Sequence, residues 1–95
     1  MSFRIIPSIY LKDGKVVNKN TMEIVGDGDA VALATLYNNR GADELIIFDI
    51  SETDSQHDNN IGTMVSIADA VDIPILVVGN IKRLEDVKKY IYTGA

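Results

Sequence analysis

The chain has no cysteine and no tryptophan, and only one histidine among its 95 residues. Without cysteine there is no disulfide, no thiolate metal site and no cysteine nucleophile. With a single histidine, His57, a zinc-type centre has no second imidazole or thiolate to complete it, so no metal is expected. Its neighbours Asp54 and Asp58 do not change that, and His57 reads as a solvated loop residue. Long apolar runs are also missing. The longest is far short of the ~20 residues that span a bilayer, so no membrane partner is expected. Basic excess is absent too. The net charge of −5 argues against a phosphate backbone, hence against nucleic acid, and fits simple solubility. Met1-Ser2-Phe3-Arg4 does not begin a signal-peptide core, and cytoplasmic residence is the expectation.

What is present is an ordinary globular composition, 46% hydrophobic and 24% charged, in a chain long enough for one domain over residues 1–95 with a modest core. Three strand-then-helix units follow one another. Residues 3–11 read as the first strand, although Pro7 lacks a ladder donor and suggests an edge or bulge. Lys12-Asp13-Gly14 is a turn. Residues 15–28 form a long connection, with an extended piece at Lys15-Val16-Val17. Asp29 can cap a helix whose apolar stripe is Ala30, Val31, Leu33, Ala34, Leu36 and Tyr37, and Gly41 stops it at C′. The second strand, residues 44–50, is a continuous apolar run suited to burial on both faces. Residues 51–60 read as a polar loop. A second helix is expected over 61–71, with Met64, Val65, Ile67, Ala68 and Val71 inward. The third strand is 75–78, Gly79-Asn80 turns the chain, and a third helix is expected over 84–92.

Strands alternating with helices imply parallel pairing through crossover connections. The expected architecture is α/β: a partial (βα) barrel of three parallel strands and three helices with open edges. Such edges invite association. The sequence stops at Thr93-Gly94-Ala95, where a fourth strand is due. The expectation is therefore a piece of a larger protein or a chain that assembles, as a homo-oligomer or with a complementary half-barrel.

The residues Arg4-Ile5-Ile6, Lys12-Asp13-Gly14-Lys15-Val16-Val17, Gly28-Asp29-Ala30-Val31, Gly41-Ala42-Asp43-Glu44-Leu45-Ile46-Ile47-Phe48-Asp49-Ile50, Asp72-Ile73-Pro74-Ile75, Val77, Gly79, Ile81 and Thr93-Gly94-Ala95 carry a resemblance. In order and spacing the chain resembles the N-terminal part, the first three βα units, of the cyclase-subunit family of imidazole glycerol phosphate synthase. The resemblance implies a TIM barrel of histidine biosynthesis that takes ammonia from a glutaminase partner and cyclises a phosphorylated aminoimidazole nucleotide. It implies no cofactor. The family's acid–base pair is two aspartates. The first aligns with Tyr10, and the second lies beyond the matched units. A phenol of ordinary pKa is a poor general base near neutral pH.

Other positions depart as well. The family's first-loop lysine aligns with Asn18, directly before Lys19. Its glycine run after the third strand becomes Val78-Gly79-Asn80. There Gly79 and Asn80 are the candidates for backbone contact with a substrate phosphate, and Asn80 adds a side chain. Asp49 matches a pocket aspartate of the family and is the remaining catalytic candidate; as a residue it reads equally as a strand-end cap on the following loop. Arg4 and Glu44 match two members of a charged ring that gates ammonia at the opposite barrel face, and also read as a surface ion pair.

The remaining signals are weaker. Asp49-Ile50-Ser51-Glu52-Thr53 lacks the second aspartate of phosphotransferase motifs. Gly26-Asp27-Gly28 lacks the spacing of a phosphate loop. Lys82, Arg83, Lys88 and Lys89 read as a solvated helix face, with phosphate contact by Lys82 or Arg83 conceivable. Two function classes stay open. One is enzymatic: a histidine-pathway cyclase fragment, or a diverged cyclase-like enzyme of another amidation pathway. The other is a non-catalytic half-barrel for association or phosphate-ligand binding.

Overall fold

The computed structural model describes residues 3–79, and the expected third helix, with Asn80, Lys82, Arg83, Lys88 and Lys89, lies outside them. Four strands form one sheet: β1 (Ser8–Lys12), β2 (Lys15–Val16), β3 (Leu45–Asp49) and β4 (Ile75–Val78), in the order β2-β1-β3-β4. β1, β3 and β4 pair in parallel, with Tyr10 opposite Phe48 and Phe48 opposite Val78. The crossovers carry helices α1 (Ala30–Asn39) and α2 (Asp54–Ala70). This is the expected partial (βα) architecture with open edges, plus one antiparallel strand.

That strand belongs to a two-residue hairpin. Asp13 and Gly14 both take positive φ, 54° and 79°, which is the type I′ turn that Asp-Gly favours. β1 is shorter than the expected 3–11. Pro7 stands just before it and offers only its carbonyl, to the N–H of Ile46 at 3.0 Å. The long connection over 15–28 is itself folded. Val25 N–H donates to Val16 O at 2.9 Å, Asn18 N–H to Glu23 O at 2.8 Å, and Val17 bridges Ile24.

α1 begins where Asp29 Oδ1 accepts the N–H of Ala32 at 3.0 Å, and it ends before Gly41 at φ 87°. Leu36, placed on its apolar stripe by the sequence, is exposed.

α2 starts seven residues earlier than the sequence suggests. Thr53 caps it by accepting the N–H of Gln56 at 3.1 Å, while Gln56 Oε1 reaches back to the N–H of Glu52 at 2.9 Å. The polar residues 54–60 are therefore helical, not a loop. The buried positions His57, Asn60, Met64, Ile67 and then Val71 recur at steps of three and four, so one face is inward throughout. Val65, expected inward, is exposed.

The core lies between the helices and one sheet face. Ile9, Leu11, Leu45, Ile47 and Val77 from the strands meet Ala30, Ala34, Met64 and Ile67 from the helices. Strand side chains alternate between faces, so Tyr10, Ile46, Phe48, Leu76 and Val78 lie on the other side. No helix of the described residues covers that side. Leu76 and Val78 are 46% and 40% exposed there.

Ile67 has no exposure and sits at the centre of the α2 contact. Ile67→Ala is expected to lower stability by about 2–5 kcal/mol, read as a fall in the urea midpoint at unchanged slope.

Candidate functional site

In parallel α/β sheets, ligands gather beyond the C-terminal strand ends. Here that end carries Tyr10 and Lys12 of β1, Asp49 of β3 and Gly79 after β4. The alternation of the strands divides them. Asp49 shares the parity of Leu45 and Ile47, so its side chain turns to the helix side. Tyr10 and Phe48 have the opposite parity. Their rings stack with centroids 4.7 Å apart and planes 9° from parallel.

Asp49 has no side-chain exposure, and both of its carboxylate oxygens are hydrogen-bonded. Its Oδ1 accepts the N–H of Ser51 at 3.0 Å and the amide of Asn60 at 2.7 Å. Its Oδ2 lies 2.5 Å from His57 Nδ1. An ionised carboxylate only accepts, so Nδ1 carries the proton in this pair. Burial is the largest single influence on the Asp49 carboxyl and pushes its pKa up. The Ser51 backbone and hydroxyl, the Asn60 amide and the His57 ring together outweigh it, and the pKa is held below its usual value.

Asn60 extends the network. Its amide nitrogen also donates to Leu11 O at 2.9 Å, and its Oδ1 accepts the N–H of Gly14 at 2.7 Å. Thr63 Oγ1 donates to Gly14 O at 2.9 Å, and Asn59 Nδ2 to Asp13 Oδ1 at 2.6 Å. The first half of α2 thus clamps the β1–β2 turn. Gly14 is needed at that contact twice over. Its φ is positive, and a Cβ there meets Thr63 Oγ1 at 3.0 Å.

His57 is therefore not the solvated loop residue that its polar surroundings suggest. It is 4% exposed and bonded to Asp49. Asn60 likewise stands out in no sequence motif. The signals available were Thr53-x-x-Gln56, a capping-box spacing, and the 57, 60, 64, 67 stripe. They were hidden because the first two stripe positions are polar.

The remaining candidates separate by location. Arg4 and Glu44 do meet, as an exposed ion pair at the N-terminal end of the sheet, far along the strands from Tyr10 and Asp49. Lys12 Nζ pairs with Glu52 at 2.8 Å; its hydrogen bond and charge hold the Glu52 carboxyl below the usual range. Lys19 Nζ stands 5.7 Å from the Tyr10 ring centroid. Gly79 follows β4 at the Tyr10 end of the sheet. Among the described residues there is no group of three or more acidic, histidine or cysteine side chains able to hold a metal. Asp49 and Tyr10 are not brought together.

Comparison with known proteins adds an independent line. A model of the family described as histidine biosynthesis protein matches residues 4–95. The imidazole glycerol phosphate synthase subunit HisF of Exiguobacterium sibiricum is 41% identical over 93 residues, covering 97% of this chain and 37% of the relative. That of Trichormus variabilis is 41% identical over 96 residues, covering 100% and 37%. That of Methanococcus vannielii is 40% identical over 93 residues, covering 97% and 34%. The chain spans little more than a third of the length of the curated relatives it matches.

Two outcomes follow from the Asp49 network. Asn60→Ala leaves the Asp49 carboxylate, Gly14 N–H and Leu11 O each short of a buried partner. It is expected to cost about 3 kcal/mol in urea unfolding, against about 0.5 kcal/mol or less for the exposed Asn59→Ala. The second concerns acid. A carboxylate with a depressed folded pKa stabilises fully above its unfolded value of about 3.9 and loses that contribution as pH falls through the folded pKa. The stability gap between the parent protein and Asp49→Asn is therefore expected to shrink below about pH 4, as the Asp49 carboxyl takes up its proton. A gap that widens below about pH 4 contradicts the assignment.

Proposed function

Since the chain belongs to the histidine biosynthesis protein family, we propose that it forms the first three βα units of a cyclase-type barrel and contributes frame and ligand contacts rather than acid–base groups. The observation that carries this is the parity of the strand ends. Tyr10 stands on the side of the sheet away from the helices and packs against Phe48, at the position that the resemblance assigns to a family aspartate. The nearby carboxylate, Asp49, turns to the opposite face and has both oxygens engaged. A general base must reach the proton it abstracts within hydrogen-bond distance. Asp49 does not meet that requirement on the pocket side, and Tyr10, which faces it, brings a phenol and no carboxylate.

In this reading the reaction is the ammonia-dependent cyclisation that yields imidazole glycerol phosphate, and this chain takes part only when the rest of a barrel is supplied. A complementary half-barrel or further copies of the chain cover the apolar side of the sheet. The support is that Leu76 and Val78 are open there, whereas parallel sheets are ordinarily covered on both faces. A phosphorylated small molecule binds at the C-terminal end, where Gly79 and Asn80 follow the third parallel strand. The Arg4–Glu44 pair, at the other end, borders the passage to a glutaminase subunit. The setting is cytoplasmic; no helix of the described residues is long and apolar enough to cross a membrane.

Two measurements test the reading. The purified chain is expected to give no ammonia-dependent formation of imidazole glycerol phosphate. Tyr10→Asp is expected to give none either, because one carboxylate on that face still lacks its partner; turnover by either protein overturns the proposal. Size-exclusion chromatography with light scattering is expected to show association, and a stable monomer at high concentration removes the support drawn from the open face.

A further inference from the structure

Leu36 belongs to the apolar stripe of α1, yet it is 43% exposed, and Ile24 and Val25 of the preceding connection are 55% and 49% exposed. Leu36 and Val25 border a groove of about 250 Å³, walled by Val16, Ala32 and Leu33 and edged by Asp27 and Asp29. Small-molecule sites are usually larger, about 300–1,000 Å³, and a groove of this size suits the side chains of a protein segment. It opens on the side of α1 away from α2, since Val31, on the α2 side, lines a different cleft with Asn59 and Gly62. Asp27 Oδ1 accepts the N–H of Asp29 at 3.0 Å, and Asp29 Oδ1 that of Ala32 at 3.0 Å. Among the described residues neither carboxylate enters an ion pair.

We propose that this groove is the docking site for residues 81–92 of a second copy of the chain. That stretch carries Leu84, Val87, Lys88 and Ile91 at the i, i+3, i+4, i+7 spacing by which an amphipathic helix enters an apolar groove. Its charge is complementary as well. Of the chain's 9 basic and 14 acidic side chains, Lys82, Arg83, Lys88 and Lys89 lie in it against Glu85 and Asp86, so the stretch stands at +2 and the rest of the chain at −7. Opposite charge at the groove edge selects this segment over an acidic one and fixes its register. The source is a neighbour by topology. The groove adjoins β2 and β1, whereas residues 81–92 follow β4, at the far edge in the order β2-β1-β3-β4. Within one chain α1 and α2 stand between the two. A groove at one edge and its occupant after the other make a heterologous contact, which closes into a ring or extends.

The inference gives the proposed association a second surface, on the helix side, and rests on that part of the reading. The absence of cysteine allows a clean disulfide test in the full chain. Leu36→Cys, labelled with nitrogen-15, is mixed with unlabelled Ile91→Cys and oxidised, so that mixed-mass dimers report contact between copies. They are expected to form at least about fivefold faster than with Ser66→Cys in place of Leu36→Cys, because docking brings the pair within disulfide reach. Ser66 is exposed on α2 and serves as the control. Val25→Glu on the labelled chain, or Lys88→Glu on the other, is expected to bring trapping down to the Ser66 rate. Equal trapping at positions 36 and 66, or trapping undiminished by both charge variants, overturns the proposal. Association in light scattering without trapping between positions 36 and 91 also overturns it, while leaving the half-barrel reading intact. Turnover by the purified chain overturns that reading and leaves this contact in place.

Discussion

Asp49 is a carboxylate without exposure, and a charge removed from water is tolerated only where donors replace the water it loses. Donors arrive from two directions. The chain just after β3 turns back so that Ser51 N–H meets Oδ1, an Asx-type turn. The first two turns of α2 bring Asn60 and His57. Satisfying one charge therefore fixes the exit of β3, the start of α2 and the angle between them. Through Asn60 the same network fixes the end of β1 and the Asp13-Gly14 turn. Networks of this kind are sensitive to any missing member, because the dielectric that strengthens each bond also penalises each orphan.

The position of Asp49 follows from strand parity. A strand places alternate residues on opposite faces, and a register slip of one exchanges them all. With Leu45 and Ile47 against the helices, Asp49 must follow them, and Ile46 and Phe48 must face the other way. β1 pairs in register, so Ile9 and Leu11 join the helix side while Tyr10 meets Phe48. The helix side ends in a saturated polar knot. The other side ends in an aromatic stack under a lysine. Two groups that are neighbours across a strand end are in this way kept on different sides of the sheet.

Much of this was legible in the sequence. α1 announced itself through Asp29, its apolar stripe and Gly41, because capping and periodicity agreed there. The parallel strands were legible from their apolar runs, and the Lys12-Asp13-Gly14 turn from its composition. The direction of Asp49 was not, since a strand apolar on both faces gives no alternation from which to read parity. The first half of α2 was lost for a related reason. Its inward positions are His57 and Asn60, polar residues whose burial is explained only by a carboxylate eight and eleven residues earlier. Periodicity finds helices by their hydrophobic face, and this face is hydrophobic only from Met64 onward.

The two sides of the sheet are consequently in different states of completion. Toward the helices, apolar side chains are packed and the one buried carboxylate is matched by donors, so that half needs nothing further. Toward the opposite side, Leu76 and Val78 are exposed and Ile46 is half-buried. Burial of such surface stabilises by about 25 cal/mol per Å², and the free energy gained by covering it is available to whatever strands or chains complete the layer.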